Sequence, residues 1–394
     1  MPNNFKEQFF CPAPWTHMYY HIDNTTPCHI IRNNSKLNPE QYLKSEWLLN
    51  LKQEFIDGKV PTVCNGCKTR EDLGLRSTRD AFWRVHKLYD GDISVYTTER
   101  KTEPRRFEIR LSNLCNFKCR MCQEDSSSEI VKENKKFHIP IAYKLHEGNE
   151  NGVYNSPEEN LEEIKNICLN ESLELVNFAG GEPLLIKGFY EIMDFMIDNR
   201  LNETITLELF TNCSVYNPEF INRMLKFKNV NFVMSIDGVG KTAEYQRHGT
   251  DWNVVKSNIL KFNSMPVNAS FNTAISGYVV LDASRLATFL MELYQQNNNI
   301  FTRCYSVAVG NDCHWQYMAK HLRNKAIIEI DKAIEILTAT NFARLVGEFE
   351  NIKKVLQTIN PDPISTNRFN IFTRKLDMMR GESFEDTFDI QLLE

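Results

Sequence analysis

Three cysteines within eight residues, Cys115, Cys119 and Cys122, are the part of this sequence most suited to chemistry. They follow an apolar, strand-like run at 107–111 and have the spacing Cys-x-x-x-Cys-x-x-Cys. Such a loop supplies three thiolates, which can hold three irons of a [4Fe–4S] cluster and leave the fourth iron open to a small molecule. Zinc would need a fourth ligand at close spacing, and the next candidate, His138, is far along the chain. The motif therefore favours an open iron–sulfur cluster.

A glycine-rich turn about sixty residues later supports this interpretation. An apolar run at 173–178 predicts a buried strand, and Gly180, Gly181, Glu182 and a proline follow it. The two glycines allow a ligand to approach the backbone closely, and the carboxylate complements an ammonium group. Together the triad and this turn resemble the radical S-adenosylmethionine (SAM) enzymes, whose Gly-Gly-Glu-Pro segment contacts the methionyl amino group of SAM.

Later strand ends carry further matches to that superfamily. The superfamily patterns Thr-Asn-Gly, Ser-x-Asp-Gly and Tyr-x-x-Arg-x-Gly each resemble a segment of this chain. In the Thr-Asn-Gly segment, Cys213 takes the place of the glycine. The Tyr-x-x-Arg-x-Gly segment has one residue fewer between the tyrosine and the arginine. The resemblance implies that Ser235 and Arg247 contact the SAM carboxylate. The full set of predicted SAM contacts is Met121, Gly180, Gly181, Glu182, Asn212, Ser235, Asp237, Arg247 and Asn272.

Four more cysteines in the first seventy residues form a second set: Cys11, Cys28, Cys64 and Cys67. Between them, 39–57 has helical apolar spacing and ends before Gly58. This order resembles the SPASM/twitch domains of radical SAM enzymes, which carry auxiliary clusters, and implies one fully ligated [4Fe–4S] cluster. A structural zinc on the same four thiolates is the alternative. Twitch domains usually follow the barrel, whereas this one precedes it. The resemblance therefore does not fix how the domain docks, although a domain at the N-terminus could still pack at the barrel mouth.

Alternating strands and helices fill the middle of the chain, which predicts right-handed βα units and a parallel sheet. Six such units match the partial (β/α)6 barrel of the superfamily, with the chemistry at the C-terminal strand ends. We therefore predict an α/β fold with a twitch-like domain at 1–100, a radical SAM barrel at 101–310 and a C-terminal helical cap at 311–394. The predicted strands are 107–111, 173–178, 204–210, 231–236, 268–274 and 302–308, and the predicted helices are 158–169, 188–199, 218–227, 252–263 and 283–296.

Two further cysteines are candidates for direct catalysis. Cys213 ends a predicted strand, where a thiol could donate a hydrogen atom to a substrate radical, although a small residue that fills a glycine position is the simpler interpretation. Cys313 follows the sixth strand at the same end of the barrel. Cys168 and Cys304 are expected to be packing residues.

Composition limits the class of protein. The 394 residues are 42% hydrophobic, enough to bury a barrel and a smaller domain, and carry a net charge of −5. This charge argues against broad nucleic-acid binding. No apolar run approaches the length of a membrane span, and the start lacks the pattern of a signal peptide, so we expect a cytoplasmic protein that does not bind membranes.

The resemblance implies an enzyme that uses a [4Fe–4S] cluster to cleave SAM and remove a hydrogen atom from a peptide or small molecule. A second cluster would serve as an electron conduit, which favours net oxidation, and a flavodoxin- or ferredoxin-type protein would supply electrons. The alternatives are a redox-neutral epimerase or dehydratase that acts on a sugar or nucleoside, and a non-catalytic SAM-binding iron–sulfur protein. The motifs specify the cofactors, not the substrate.

Overall fold

A mostly parallel eight-stranded sheet forms the centre of the protein. The computed structural model describes residues 9–31, 36–72, 74, 76–86, 93–140, 151–307 and 311–393. The strands of the sheet are β1 (His17–His21), β2 (Asn24–Thr26), β3 (Arg106–Arg110), β5 (Leu175–Ala179), β6 (Thr206–Thr211), β7 (Val230–Ser235), β9 (Asn268–Ile275) and β10 (Phe301–Ser306), in the spatial order β10-β9-β7-β6-β5-β3-β1-β2. A separate ribbon pairs β4 (Lys118–Cys119) with β8 (Arg247–His248).

Helices cover the sheet and continue into the C-terminal region. They are α1 (Ala13–Thr16), α2 (Pro39–Leu43), α3 (Glu46–Ile56), α4 (Asn65–Asp72), α5 (Thr78–Val85), α6 (Ser128–Lys136), α7 (Glu158–Cys168), α8 (Lys187–Asp198), α9 (Pro218–Met224), α10 (Lys241–Gln246), α11 (Trp252–Asn263), α12 (Gly277–Val280), α13 (Ala283–Gln296), α14 (Lys320–Leu337), α15 (Ala343–Thr358), α16 (Pro363–Arg380) and α17 (Phe384–Phe388). All six predicted strands and all five predicted helices of the central region are present, with ends shifted by a few residues.

The predicted fold class is confirmed as an α/β fold with a helical C-terminal region. Six strands, β3, β5, β6, β7, β9 and β10, pair in parallel in chain order, and helices connect them. Among the described strands the sheet is open, with β10 at one edge and β2 at the other. Within the described residues, no helix combines the length and the apolar character needed to cross a bilayer.

The N-terminal region contributes two strands to the same sheet. β1 runs parallel to β3, with His17 opposite Arg106 and His21 opposite Arg110, and β2 turns back antiparallel to β1. The backbone of Arg105 also donates to the carbonyl of Thr16 at 2.7 Å. The sheet therefore crosses the predicted domain boundary at residue 100. The boundaries at 100 and 310 stay predictions.

Ion pairs across one face show that the sheet curls into a trough. The carboxylate of Glu208 on β6 lies 2.6 Å from Arg303, three strands away on β10, and 3.4 Å from Arg106, two strands away on β3. Neighbouring strands are about 4.8 Å apart, so Glu208 and Arg303 would stand about 14 Å apart on a flat sheet, and their close pairing indicates a sheet that curls toward this face. We call the space on this concave face the lumen. Its inward-facing residues include Arg106, Glu108, Arg110, Asn177, Glu208 and Arg303.

Candidate functional site

The three closely spaced cysteines lie in the loop after β3, at the C-terminal end of the parallel strands. β4 fixes this loop, because it pairs with β8 and places Cys119 opposite Arg247. The backbone nitrogen of Cys122 donates to the carbonyl of Cys119 at 3.0 Å and closes a turn. Cys119 is buried, Cys115 is half-buried and Cys122 is exposed. The exposed side of the loop is therefore the side that carries Cys122.

The three thiols differ in their electrostatic environment. Burial raises the pKa of Cys115 to about 12, and the nearby Cys119 adds to this effect. A hydrogen bond between Cys119 and Cys122 lowers the pKa of Cys119 and raises that of Cys122. Thiolates are the usual protein ligands of iron–sulfur clusters. The donor set therefore fits the cluster predicted from the sequence.

Gly180 and Gly181 press against the chain that leads into the triad. Gly180 has a φ of +132°, and a Cβ at Gly181 would lie 2.0 Å from the carbonyl oxygen of Leu114. The backbone nitrogen of Gly181 donates to Ser112, and that of Glu182 donates to Leu114. This close approach requires glycine and ties the end of β5 to the triad loop.

The Glu182 carboxylate is fully buried and bonds within the protein. One oxygen accepts hydrogen bonds from the Thr211 hydroxyl at 2.8 Å and the Leu184 backbone, and the other accepts from the Asn212 backbone at 2.7 Å. Burial raises its pKa to about 7. In this arrangement Glu182 joins the ends of β5 and β6. Its predicted contact with the amino group of SAM stays a prediction.

The predicted SAM contacts on the later strands converge near the triad. Ser235 and Asn272 are register partners on β7 and β9. The Asp237 carboxylate accepts from the backbone of Ala274 at 2.7 Å and forms an ion pair with Arg247 at 2.5 Å. Asp237 is buried, so this pair is not the surface salt bridge that an isolated arginine would suggest.

Asn212 and Met121 also border the triad loop. The Asn212 amide donates to the side-chain oxygen of Asn116 at 3.1 Å and lies 3.8 Å from the Cys115 sulfur. The Met121 carbonyl accepts from the side chain of Asn311 at 3.2 Å. The described residues thus bring every predicted SAM contact to the C-terminal end of the sheet.

Both candidate catalytic cysteines are fully buried. The Cys313 sulfur lies 2.9 Å from the side-chain oxygen of Asn311, which links it indirectly to the triad loop. The Cys213 sulfur contacts the carbonyl of Thr211, and its backbone has a φ of +62°, in the left-handed region that favours glycine. This conformation explains the glycine in the superfamily pattern. A catalytic role for either thiol stays a prediction.

Replacement of Cys213 tests this conformational interpretation. Both Cys213→Gly and Cys213→Ala remove the buried sulfur, but only glycine relieves the positive φ, so we expect Cys213→Gly to be more stable by about 1 kcal/mol. The measurement is the free energy of unfolding in urea. Cys304, a buried cysteine within β10, is the control because its φ is not positive. There we expect the alanine variant to be more stable than the glycine variant. The same order at both sites would contradict the interpretation.

Arg120, between Cys119 and Met121, is a site residue that the sequence analysis missed. Its buried guanidinium donates to the Tyr245 carbonyl at 2.9 Å and pairs with Asp377 at 2.6 Å and Glu382 at 2.5 Å. It also stacks 3.6 Å from the centre of the Tyr245 ring. The C-terminal region therefore contacts the triad loop through Arg120 and helps to hold the loop in place. No sequence signal connects residues this far apart.

The four N-terminal cysteines line one cavity. Cys11, Cys28, Cys64 and Cys67 all line a largely apolar cavity. Burial raises the pKa of Cys28 to about 12, and the charge of Cys67 adds to this effect. Four thiolates are a donor set that fits either a [4Fe–4S] cluster or a structural zinc ion.

This cavity lies near the end of the sheet opposite the triad. Cys11 precedes β1, and Cys28 follows the antiparallel β2, so both are near the N-terminal ends of β1 and β3. Cys115 follows the C-terminal end of β3. The strand directions therefore place the N-terminal thiols near the end of β1 and β3 opposite the triad, and not at the barrel mouth, a position that the sequence left open.

A search against protein families matched residues 109–289 to the Radical SAM superfamily. A search of curated proteins found no significant match. Three similar solved structures are anSMEcpe with bound AdoMet (17% identity, TM-score 0.40, 58% of this chain and 59% of that chain), Streptococcus suis SuiB bound to the precursor peptide SuiA (14%, 0.36, 71% and 61%) and TYW1 with a lysine-pyruvate adduct bound (15%, 0.35, 61% and 75%). The chain thus spans about three fifths of the length of anSMEcpe.

The superfamily match covers the triad, the glycine-rich turn and all the later predicted SAM contacts. These residues meet at the C-terminal end of β3, β5, β6, β7 and β9, as the motifs predict. A match to this superfamily implies SAM and a [4Fe–4S] cluster as the cofactors of the matched domain. Residues 109–289, a little under half of the chain, thus form a radical SAM domain.

Proposed function

We propose that this protein is a radical SAM oxidoreductase that oxidises a polar peptide or small-molecule substrate held in the lumen. Cys115, Cys119 and Cys122 would hold the SAM-binding cluster, and Cys11, Cys28, Cys64 and Cys67 would hold an electron-accepting auxiliary cluster. When bound, the first cluster and SAM supply a 5′-deoxyadenosyl radical, which removes a hydrogen atom from a C–H bond. A flavodoxin- or ferredoxin-type protein would supply the initiating electron.

The observation that carries this proposal is the position of the two thiol sets at opposite ends of one polar lumen. A substrate in the lumen would lie between the two sets. Oxidation requires an acceptor for the electron that remains after hydrogen abstraction, and a saturated cluster suits electron transfer better than substrate ligation. Redox-neutral chemistry would not need a second cluster for its electron balance.

The remaining groups of the site would bind and orient SAM. Ser235, Asn272 and the Arg247–Asp237 pair line the same end of the sheet, and Asn212 borders Cys115. Gly180 and Gly181 place backbone against the loop that carries the triad. Because these groups bond to one another, the pocket is preorganised, which reduces the cost of ordering a bound cofactor.

Replacement of Cys67 tests the auxiliary site. We expect anaerobically reconstituted protein to hold about eight irons and Cys67→Ala about four, with SAM cleavage by dithionite retained, because the triad is unchanged. Iron and sulfide counts, the electron paramagnetic resonance (EPR) spectrum of the reduced protein and the yield of 5′-deoxyadenosine measure this. The EPR spectrum should show two reduced-cluster signals for the wild-type protein and one for Cys67→Ala.

A matched control is Cys168→Ala, because Cys168 is a buried cysteine on α7 outside both thiol sets. It should keep all the iron and both signals. Wild-type protein that binds four irons and one zinc would overturn the redox role of the N-terminal thiols and leave them structural. A fully loaded protein that binds SAM but cannot cleave it would favour the non-catalytic alternative.

A further inference from the structure

Arg110 is the last residue of β3, and its guanidinium lies in the lumen with an unused hydrogen-bond donor. Its Nε is buried and has no hydrogen-bond partner among the described residues. The nearest carboxylate oxygen, on Glu108, lies 3.5 Å from Nε, which is longer than an ordinary hydrogen bond. Tyr19 backs the guanidinium, with its ring centre at 5.6 Å. The side chain is one quarter exposed, so its head remains accessible.

The two other arginines of this wall, Arg303 and Arg106, both bond to the Glu208 carboxylate. Arg303 pairs with it at 2.6 Å, and Arg106 donates to it at 3.4 Å. The carboxylate beside Arg110 is shared, because His29 Nδ1 lies 3.1 Å from Glu108. Of the three arginines, Arg110 is the one with a buried nitrogen that lacks a hydrogen-bond partner among the described residues.

Arg110 also has the right position for a substrate contact. It ends β3, five residues before Cys115, so it lies at the same end of the parallel strands as the triad. Tyr305 lies near the corresponding end of β10, the far edge strand, and 46% of its surface is exposed. Arg110 is therefore at the triad end of the lumen.

An unsatisfied guanidinium in a low-dielectric site is costly, and a planar oxyanion satisfies it with two parallel hydrogen bonds. We propose that Arg110 binds a carboxylate or phosphate group of the substrate, which rests on the proposed function because that function places the substrate in the lumen. Asp125, the other nearby carboxylate, accepts a hydrogen bond from Ser126 at 3.0 Å. An uncharged apolar substrate would leave the buried Nε of Arg110 without a hydrogen-bond partner.

Site-resolved labelling of arginine tests the proposal on the unmodified protein. Reconstituted protein is treated anaerobically with phenylglyoxal, and the labelled peptides are identified by mass spectrometry. We expect Arg110 to react and to be protected by millimolar inorganic phosphate or acetate, but not by SAM alone. Protection by phosphate only would indicate a phosphorylated substrate, and protection by acetate only would indicate a carboxylate. No protection by either anion, or protection by SAM alone, would overturn the proposal.

A variant pair provides an independent measurement. Equilibrium dialysis with radiolabelled phosphate and acetate should show at least tenfold weaker binding by Arg110→Gln, with partial recovery in Arg110→Lys. Arg105→Gln is the matched control, because Arg105 lies at the other end of the strand and pairs with the exposed Glu174. Equal affinities of Arg110→Gln and Arg105→Gln would contradict the proposal.

The anion site and the proposed function fail in different ways. Anion binding at Arg110 without any SAM cleavage would retain the site and refute the oxidoreductase. SAM cleavage without anion binding at Arg110 would retain the radical chemistry and refute the substrate contact.

Discussion

Cys119→Ala is expected to reduce 5′-deoxyadenosine formation to the level of a control without enzyme. Cys119 is the middle ligand of the triad and is buried against β8, so alanine removes a thiolate that water cannot replace in the same geometry. Iron should fall from about eight to about four per chain, because only the triad cluster is lost. The assay is anaerobic reaction with SAM and dithionite, followed by chromatography of the nucleoside product.

Cys168→Ala again serves as the control for loss of a buried cysteine, and it should keep both iron and activity. The position of Cys119 opposite Arg247 adds a second readout, because a disordered triad loop should also weaken SAM binding. Retention of full iron and of SAM cleavage by Cys119→Ala would show that the triad does not hold the active cluster.

Arg120→Met is expected to lower the free energy of unfolding by about 3–5 kcal/mol, because it leaves the buried Asp377 carboxylate without its cation and removes one of the two partners of the half-buried Glu382, which keeps His248. The Arg120 side chain has no exposed surface. Because Arg120 is adjacent to Cys119, we also expect less iron at the triad while the N-terminal site stays loaded. Urea unfolding of the iron-free chain and the EPR spectrum of the loaded chain measure the two effects.

Arg374→Met is the matched control for Arg120→Met. Arg374 lies on α16 and pairs with Glu385, but 41% of its side chain is exposed, so its loss should cost no more than about 1 kcal/mol. A double variant, Arg120→Met with Asp377→Leu, should recover part of the stability because one unpaired carboxylate is removed. If Arg120→Met costs no more than Arg374→Met, the C-terminal region does not support the triad loop.

The sequence determined much of the fold because the relevant signals are local. Periodicity and turn residues placed all six central strands and their helices, and the three motifs at the strand ends lie in the order that a parallel sheet requires. The left-handed backbone at Cys213 accounts for a position that is usually glycine.

Only the tertiary structure decided how distant segments meet. The sequence does not specify which strand β1 joins, and its parallel pairing with β3 places the N-terminal thiols near the end of the sheet opposite the triad. Arg120 reaches Asp377, 257 residues away, and Arg303 reaches Glu208 only because the sheet curls. Such contacts depend on chain topology and sheet curvature, which residue types and spacing do not encode locally. The sequence therefore determined the cofactor chemistry, and the tertiary structure determined the lumen in which that chemistry would act.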